Sequence, residues 1–172
     1  MNVVKVIETE RLVLRYMQTE DAKFMLALLN EPDWINYIGD RGIRTIDEAK
    51  KYIEDGPMTM YKEEGFGLYL VELKESETPV GICGLIQRDF LKDVDLGFAI
   101  LSPYWGRGFA FEAAQATLKY GNETLGYHRI AGFTSLDNEK SANLLLKLGM
   151  TEEGNIKFAS TSEDIRLFAI NY

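Results

Sequence analysis

The segment Ser102-Pro103-Tyr104-Trp105-Gly106-Arg107-Gly108-Phe109-Ala110 joins an apolar run, Val94–Leu101, to a stretch with helical spacing. A strand, a glycine-bearing loop and a helix start in that order can cradle an anion. The first amide N–H groups of a helix have no partner within it and carry partial positive charge. Gly106 and Gly108 let the backbone come close to such an anion, Arg107 adds a full positive charge, and small Ala110 lets the helix start pack tightly. Taken alone, the segment also fits a glycine-rich turn with no ligand. The third glycine of a dinucleotide fingerprint would fall at position 111, which is Phe111, and no Gly-Lys-Ser/Thr is present. Neither a nucleotide-binding crossover nor a P-loop is therefore expected.

Other reactive residue types are few. Cys83 is the one cysteine, which excludes an intramolecular disulfide and suggests a reducing cytoplasm. It lies in the apolar run Pro79–Ile86 and reads as a buried thiol rather than a nucleophile. With His128 the sole histidine, no closed Cys/His metal site is expected, and His128 itself reads as structural.

The elements that must position the cradle follow from periodicity. Arg11–Met17 alternates as an amphipathic strand, and Thr19 is expected to cap a helix carrying Phe24, Met25, Leu28 and Leu29 on one face. Glu31-Pro32 should end that helix. Thr45-Ile46-Asp47-Glu48 is a capping box whose helix runs to a break or kink at Gly56-Pro57, with a second helical piece over Met58–Glu64. Phe66–Leu73, Pro79–Arg88 and Val94–Leu101 read as three strands, the last apolar enough to be central. After the cradle helix come a strand at His128–Leu136, a helix at Asn138–Leu148 and two strands, Glu153–Phe158 and Asp164–Ile170. The expected fold is one α/β domain over residues 1–172. Its central sheet is mixed and mostly antiparallel, with six to seven strands and about four flanking helices, and the strand–helix–strand crossover makes one pair parallel.

Four segments then resemble the RimJ/RimL-like branch of the GNAT superfamily of N-acetyltransferases. They are ETERLVLR (Glu8–Arg15), DLGFAILSPYWGRGFAFEAA (Asp95–Ala114), DNEKSANLLLKLGM (Asp137–Met150) and EDIRLFAINY (Glu163–Tyr172). They occur in the family's order and spacing over nearly the whole chain. Two positions differ from the wider pattern: Trp105 stands where much of the superfamily has Gln or Arg, and Met150 replaces the usual aromatic after Leu148-Gly149.

The resemblance implies acetyl-CoA as co-substrate, no metal, and direct attack by a primary amine. The loop amides from Gly106 through Arg107, Gly108 and Phe109 to Ala110 would hold the pyrophosphate. The strand Phe98-Ala99-Ile100 would pair with the pantetheine arm as if it were an added strand, a splay in the sheet would aim a backbone N–H at the thioester oxygen, and Asn138 would contact the arm or simply cap its helix. Ser141 occupies the position from which this branch hydrogen-bonds or protonates the departing sulfur. Asp95 is the first candidate for general base, ahead of Glu163 and Asp164, and Tyr104, Tyr120 and Tyr127 stay open as acids. Trp34, in the Glu31–Arg44 loop, would line the acceptor pocket, and Trp105 would pack beneath the cofactor loop. The acceptor implied is a protein N-terminal α-amine, with a small-molecule amine such as a polyamine or an antibiotic-type amine as the alternative. An α-amine is roughly 10–15% neutral at pH 7 and a lysine amine about 0.04%, so a base helps either. A non-catalytic acyl-CoA-binding module is the reading from outside enzymology, and both monomer and homodimer fit.

Composition limits the partners. The 172 residues carry a net charge of −8, which argues against a phosphate-neutralising surface for nucleic acid. No stretch is long and apolar enough for a membrane span, and the first residues lack a signal-peptide pattern. The acidity is uneven: residues 1–86 carry −6 and residues 87–172 carry −2. An anionic cofactor is thus easier to hold in the second half, and the overall field modestly favours a cationic amine.

Overall fold

The computed structural model describes residues 3–159 and 161–172. Eight strands form one sheet in the order β1-β2-β3-β4-β5-β6-β8-β7. In chain order they are β1 (Lys5–Glu8), β2 (Leu12–Arg15), β3 (Leu68–Leu73), β4 (Pro79–Ile86), β5 (Asp95–Ile100), β6 (Arg129–Ser135), β7 (Thr151–Lys157) and β8 (Asp164–Asn171). The α-helices are α1 (Ala22–Leu29), α2 (Pro32–Tyr37), α3 (Ile46–Ile53), α4 (Thr59–Glu64), α5 (Phe109–Glu123) and α6 (Glu139–Lys147). Every strand pairing is antiparallel except β5 with β6, the pair joined by the α5 crossover. This is the mixed, mostly antiparallel sheet expected, with one more strand. The additional strand is β1: the run before Arg11 folds back as a hairpin because the Thr9 N–H donates to the Leu12 carbonyl at 2.9 Å.

Two boundaries differ from expectation. Thr19 does not cap a helix; the chain makes a 3₁₀ turn over Thr19–Asp21, entered at Gln18, whose N–H donates to Asp21 Oδ2 at 2.8 Å. The helix carrying Phe24 and Leu28 ends at Leu29, just before Glu31-Pro32 as expected, but Pro32 then opens a further helix, α2, at its first turn, where a missing N–H costs nothing. Trp34 therefore sits on a helix rather than a loop. The Thr45–Glu48 capping box forms as expected. Pro57 lies in a π-helical turn, Glu54–Met58, that links α3 to α4 without ending the helical path.

The α5 face of the sheet is set by close contact. Ala113, Ala114 and Leu118 are buried. A Cβ on Gly121 would come within 2.8 Å of the Leu85 and Ile130 side chains. On the same face Cys83 is buried beside Thr117 Oγ1 at 3.3 Å, and burial pushes its thiol up to about 12. Cys83 is thus a core thiol with no nucleophilic character at neutral pH.

Gly84, in the sheet interior, meets its neighbours most closely: a Cβ there would lie 2.0 Å from the backbone carbonyl oxygen of Gly67. Backbone cannot rotate away as a side chain can. Gly84→Ala should therefore cost about 1–3 kcal/mol or more, read as a lower urea midpoint with unchanged slope.

Candidate active site

The parallel pair β5–β6 closes at Asp95 and Ala131, with the Ala131 N–H donating to the Val94 carbonyl at 2.9 Å. Beyond that bridge, β5 stays in register with β4 up to Ile100, while β6 stays in register with β8 up to Ser135. The two central strands therefore diverge, and a wedge opens between them. Gly97, Phe98, Ala99 and Ile100 are half-buried for this reason, although β5 lies fourth from one edge of the sheet.

Ladder alternation decides which backbone groups face the wedge. The Leu101 N–H donates to Val80 of β4, so Ala99, two residues back, also turns its N–H and C=O toward β4. Phe98 turns the opposite way and offers both groups to the gap. The Ile100 carbonyl is already taken by the Trp105 indole N–H at 2.7 Å. Of the three expected pairing residues, Phe98 therefore presents a full free edge, Ile100 only its N–H, and Ala99 neither group.

The open end of the wedge carries the cradle. Gly108 caps α5 at φ +80°, with no side chain bonded to the first-turn amides. Gly106 sits at φ +76°, so both glycines occupy the left-handed region that other residues reach only with strain. Arg107 is exposed, its guanidinium 5.6 Å from the Tyr104 ring, and among the described residues it makes no ion pair. The unpaired amides, the two glycines and this free charge make a site that fits a pyrophosphate.

The β1–β2 hairpin holds this loop from across the chain. Arg11 Nη1 donates to the Arg107 carbonyl at 2.9 Å, and its Nε pairs with Glu112 Oε1 at 2.7 Å. Its guanidinium lies 4.5 Å from the Phe109 ring centre. Thr9 Oγ1 donates to Glu112 Oε2 at 2.6 Å, and the Arg11 N–H to the same oxygen at 3.0 Å. Burial alone would raise the Glu112 carboxyl, but these hydrogen bonds outweigh it and hold it below its ordinary value.

The start of α6 faces the same mouth. Asn138 caps α6, its side-chain oxygen accepting the Ser141 N–H at 3.2 Å. Lys140 Nζ lies 4.3 Å from the Trp105 ring, and Lys147 Nζ lies 4.7 Å from the Phe111 ring. Two cation–π contacts thus join α6 to the cradle segment, with half-buried Ser141 on the helix between them. Trp105 is not packed beneath the loop: it is 40% exposed and forms one wall of the mouth.

Asp95 occupies the closed end, five residues from Ile100, or roughly 17 Å at the usual strand rise. Leu96 pairs with Leu85 on the α5 face, so Asp95 lies on the opposite face. It is no solvated edge carboxylate: it is 1% exposed and paired with Arg88 Nε at 2.9 Å. Burial pushes its carboxyl up to about 6 despite that partner. The Arg88 guanidinium also lies 5.0 Å from the Phe133 ring on β6. No hydrogen bond joins Asp95 to Ser141 among the described residues.

A cavity of about 510 Å³ opens beside α3, lined by Arg41, Ile43, Glu48, Lys51, Tyr52, Asp55 and Gly56. The Tyr52 hydroxyl is raised by burial and pulled down by the nearby Arg41 and Arg88 charges. The Arg88 charge felt at Tyr52 is the same one that pairs with Asp95. Trp34 is buried at 7% exposure, and its indole N–H has no hydrogen-bond partner. His128 is exposed outside these features, and Glu163 and Asp164 are exposed near the β7–β8 turn. No group of three or more metal-ligating side chains is gathered among the described residues, and no helix there is long and apolar enough to cross a membrane.

Arg11, Glu112 and Arg88 were not among the residues expected at the site. Arg11 and Arg88 each stand at the end of a strand-like run, which is ordinary for a solvated arginine, and each finds its partner only through folding.

Comparison with known proteins agrees with this geometry. Residues 11–151 match the family model described as an acetyltransferase (GNAT) domain. An uncharacterized N-acetyltransferase of Bacillus subtilis, YoaA, is 29% identical over 154 residues, covering 88% of this chain and 86% of that protein. The ribosomal protein uS5-alanine N-acetyltransferase of Escherichia coli is 32% identical over 92 residues, 54% of this chain and 47% of that enzyme. The solved structure of RimL, a ribosomal L7/L12 α-N-protein acetyltransferase in complex with coenzyme A, shares the fold at TM-score 0.81 and 16% identity. That match covers 99% of this chain and 98% of RimL. A strand pair that splays over an amide cradle, together with the family match across most of the chain, identifies it as a member of the GNAT acetyltransferase family.

Proposed function

We propose that this acetyltransferase, acting as one domain over residues 1–172 in a reducing cytoplasm, transfers acetyl from acetyl-CoA directly to a protein N-terminal α-amine. The observation that carries this reading is the wedge itself: unpaired amides at its open end and a buried carboxylate at its closed end. The likeness to an alanine N-acetyltransferase of ribosomal protein uS5 supports an α-amine acceptor. So does chemistry, because an α-amine is neutral far more often than a lysine amine at pH 7.

Bound acetyl-CoA supplies a thioester carbonyl to the attacking amine and leaves as a thiolate. The amides of Gly106, Arg107, Gly108, Phe109 and Ala110 hold the pyrophosphate, and the Arg107 charge adds to them. The free edge of Phe98, with the Ile100 N–H, pairs with the pantetheine amides, and the Phe98 region supplies an N–H to the thioester oxygen. Ala99 contributes through its neighbours' register and Asn138 through the cap that fixes the start of α6. Ser141 donates a hydrogen bond to the departing thiolate, which takes its proton from solvent. Asp95 accepts the amine proton through water at the closed end. Trp34 bounds the acceptor side from within α2.

Release of free thiol from acetyl-CoA, measured against a panel of N-terminal peptides and small amines, tests the reading. Peptide-stimulated release is expected. Tight CoA binding with no stimulation by any amine would leave only a binding module.

Gly108→Asp places bulk and negative charge in the cradle at a left-handed φ. Calorimetry should show CoA binding abolished, with the far-UV circular dichroism of the folded protein retained. Ser141→Ala should lower kcat about tenfold or more with little change in CoA affinity; equal losses would mark a binding residue instead.

The Asp95 carboxyl sits at about 6 in the fold, above its ordinary value of 3.8. The folded protein therefore holds an extra proton between those values. Asp95 stabilises the fold below the ordinary carboxylate range, and that contribution is lost as pH rises through about 6. Ionised Asp95 is the base, so kcat/KM should rise with pH through about 6. Asp95→Asn should remove that limb while leaving the later rise due to the amine itself.

A further inference from the structure

The cavity beside α3 points to the chemistry of the acceptor, an inference that rests on the amine-acetyltransferase reading above. Its carboxylates are already engaged. Glu48 Oε2 accepts the Arg44 and Thr45 N–H groups at 2.6 and 3.0 Å as part of the α3 cap. Asp55 pairs with Lys51 at 2.7 Å. Nearby Asp40 pairs with Arg44 at 2.6 Å. Arg41, by contrast, lines the cavity and makes no ion pair or side-chain hydrogen bond among the described residues. The Tyr52 hydroxyl makes no hydrogen bond there either, and it stands near both Arg41 and Arg88.

The charges that line the cavity cancel, Arg41 and Lys51 against Glu48 and Asp55, although the first half of the chain is acidic. Among the described residues, Arg41 is the lining charge with neither an ion pair nor a side-chain hydrogen bond, and the Tyr52 hydroxyl beside it is also without a partner, so both can donate to a ligand. Ile43 and the Tyr52 ring supply an apolar wall. Arg88, whose charge reaches the Tyr52 hydroxyl, also pairs with Asp95, the proposed base.

We infer that this cavity receives a carboxylate carried by the acceptor, held by Arg41 and the Tyr52 hydroxyl, so that the acceptor is an amine that also bears a carboxylate and not a polyamine. An N-terminal peptide with an acidic residue near its amine and a free amino acid share this chemistry. A guanidinium binds a carboxylate through paired N–H donors, whereas a polyamine would bring like charge against Arg41.

The test compares wild type and Arg41→Ala at saturating acetyl-CoA with four acceptors: Ala-Asp and Ala-Lys N-terminal peptides of equal length, free glutamate, and spermidine. Wild type should prefer Ala-Asp over Ala-Lys by about tenfold or more in kcat/KM. Arg41→Ala should collapse that ratio toward one through KM, with Arg41→Lys recovering part of it. Preference for glutamate over Ala-Asp would assign the site to free amino acids rather than peptides. Spermidine as the best acceptor, or an unchanged Ala-Asp to Ala-Lys ratio in Arg41→Ala, would overturn the inference. A separate arm uses an N-acetylated Asp peptide, which has no amine to react, titrated calorimetrically into the CoA-loaded protein. Weaker binding to Arg41→Ala than to wild type supports the carboxylate site even if no amine is acetylated, and equal binding to both refutes it. The acetyl-transfer reading fails separately, if none of the acceptors is acetylated by wild type.

Discussion

Two parallel strands that meet once and then part open the slot on which the candidate site depends. Each of β5 and β6 satisfies its outer edge with an antiparallel neighbour, so neither depends on the other beyond the Asp95–Ala131 bridge. Antiparallel ladders on both flanks make the separation affordable, because buried backbone groups must otherwise find partners. What remains is a slot lined by main-chain donors and acceptors at a fixed spacing. A chain-like ligand with its own amides can complete the sheet there.

Around that slot, charge is used locally and not globally. The chain is acidic overall, yet Arg107, Lys140 and Lys147 gather at the cradle, Arg88 pairs with Asp95 at the closed end, and Arg41 lines the cavity beside α3. Many of the surface carboxylates are consumed by caps and pairs within their own elements, such as Glu48 in the α3 capping box and Asp55 with Lys51. Such pairs cancel at the range where a ligand is held, so net charge says little about a particular pocket.

Much of the cradle was legible in the sequence because its causes are local. Gly106 and Gly108 take left-handed φ within a short loop, and an apolar strand followed by an apolar helix stripe places that loop at a sheet end. Asn138 as a cap, the Thr45–Glu48 box and the parallel crossover were likewise set by neighbours in sequence. The less legible features depend on distant partners. The Arg11–Glu112 clasp spans 101 positions, and the Trp105 indole settles on the Ile100 carbonyl because the strand beside it has turned away. Trp105 therefore walls the mouth where packing under the loop was expected. Trp34 moved from loop to helix because Pro32 starts one turn as readily as it ends another.

Most of the strands and helices, the glycine loop before α5 and, through motif resemblance, the acetyl-CoA chemistry were already set by the amino-acid sequence. Each rests on short-range backbone preference or on residues adjacent in the chain. The folded surroundings decided that Asp95 is buried against Arg88 with its carboxyl pushed up to about 6, that Phe98 and not Ala99 offers its edge to the slot, and that Arg41 makes no ion pair among the described residues. Desolvation, ladder direction and the use or sparing of a charge are properties of what surrounds a residue in space. Those surroundings exist only once the strands have paired and the wedge has opened.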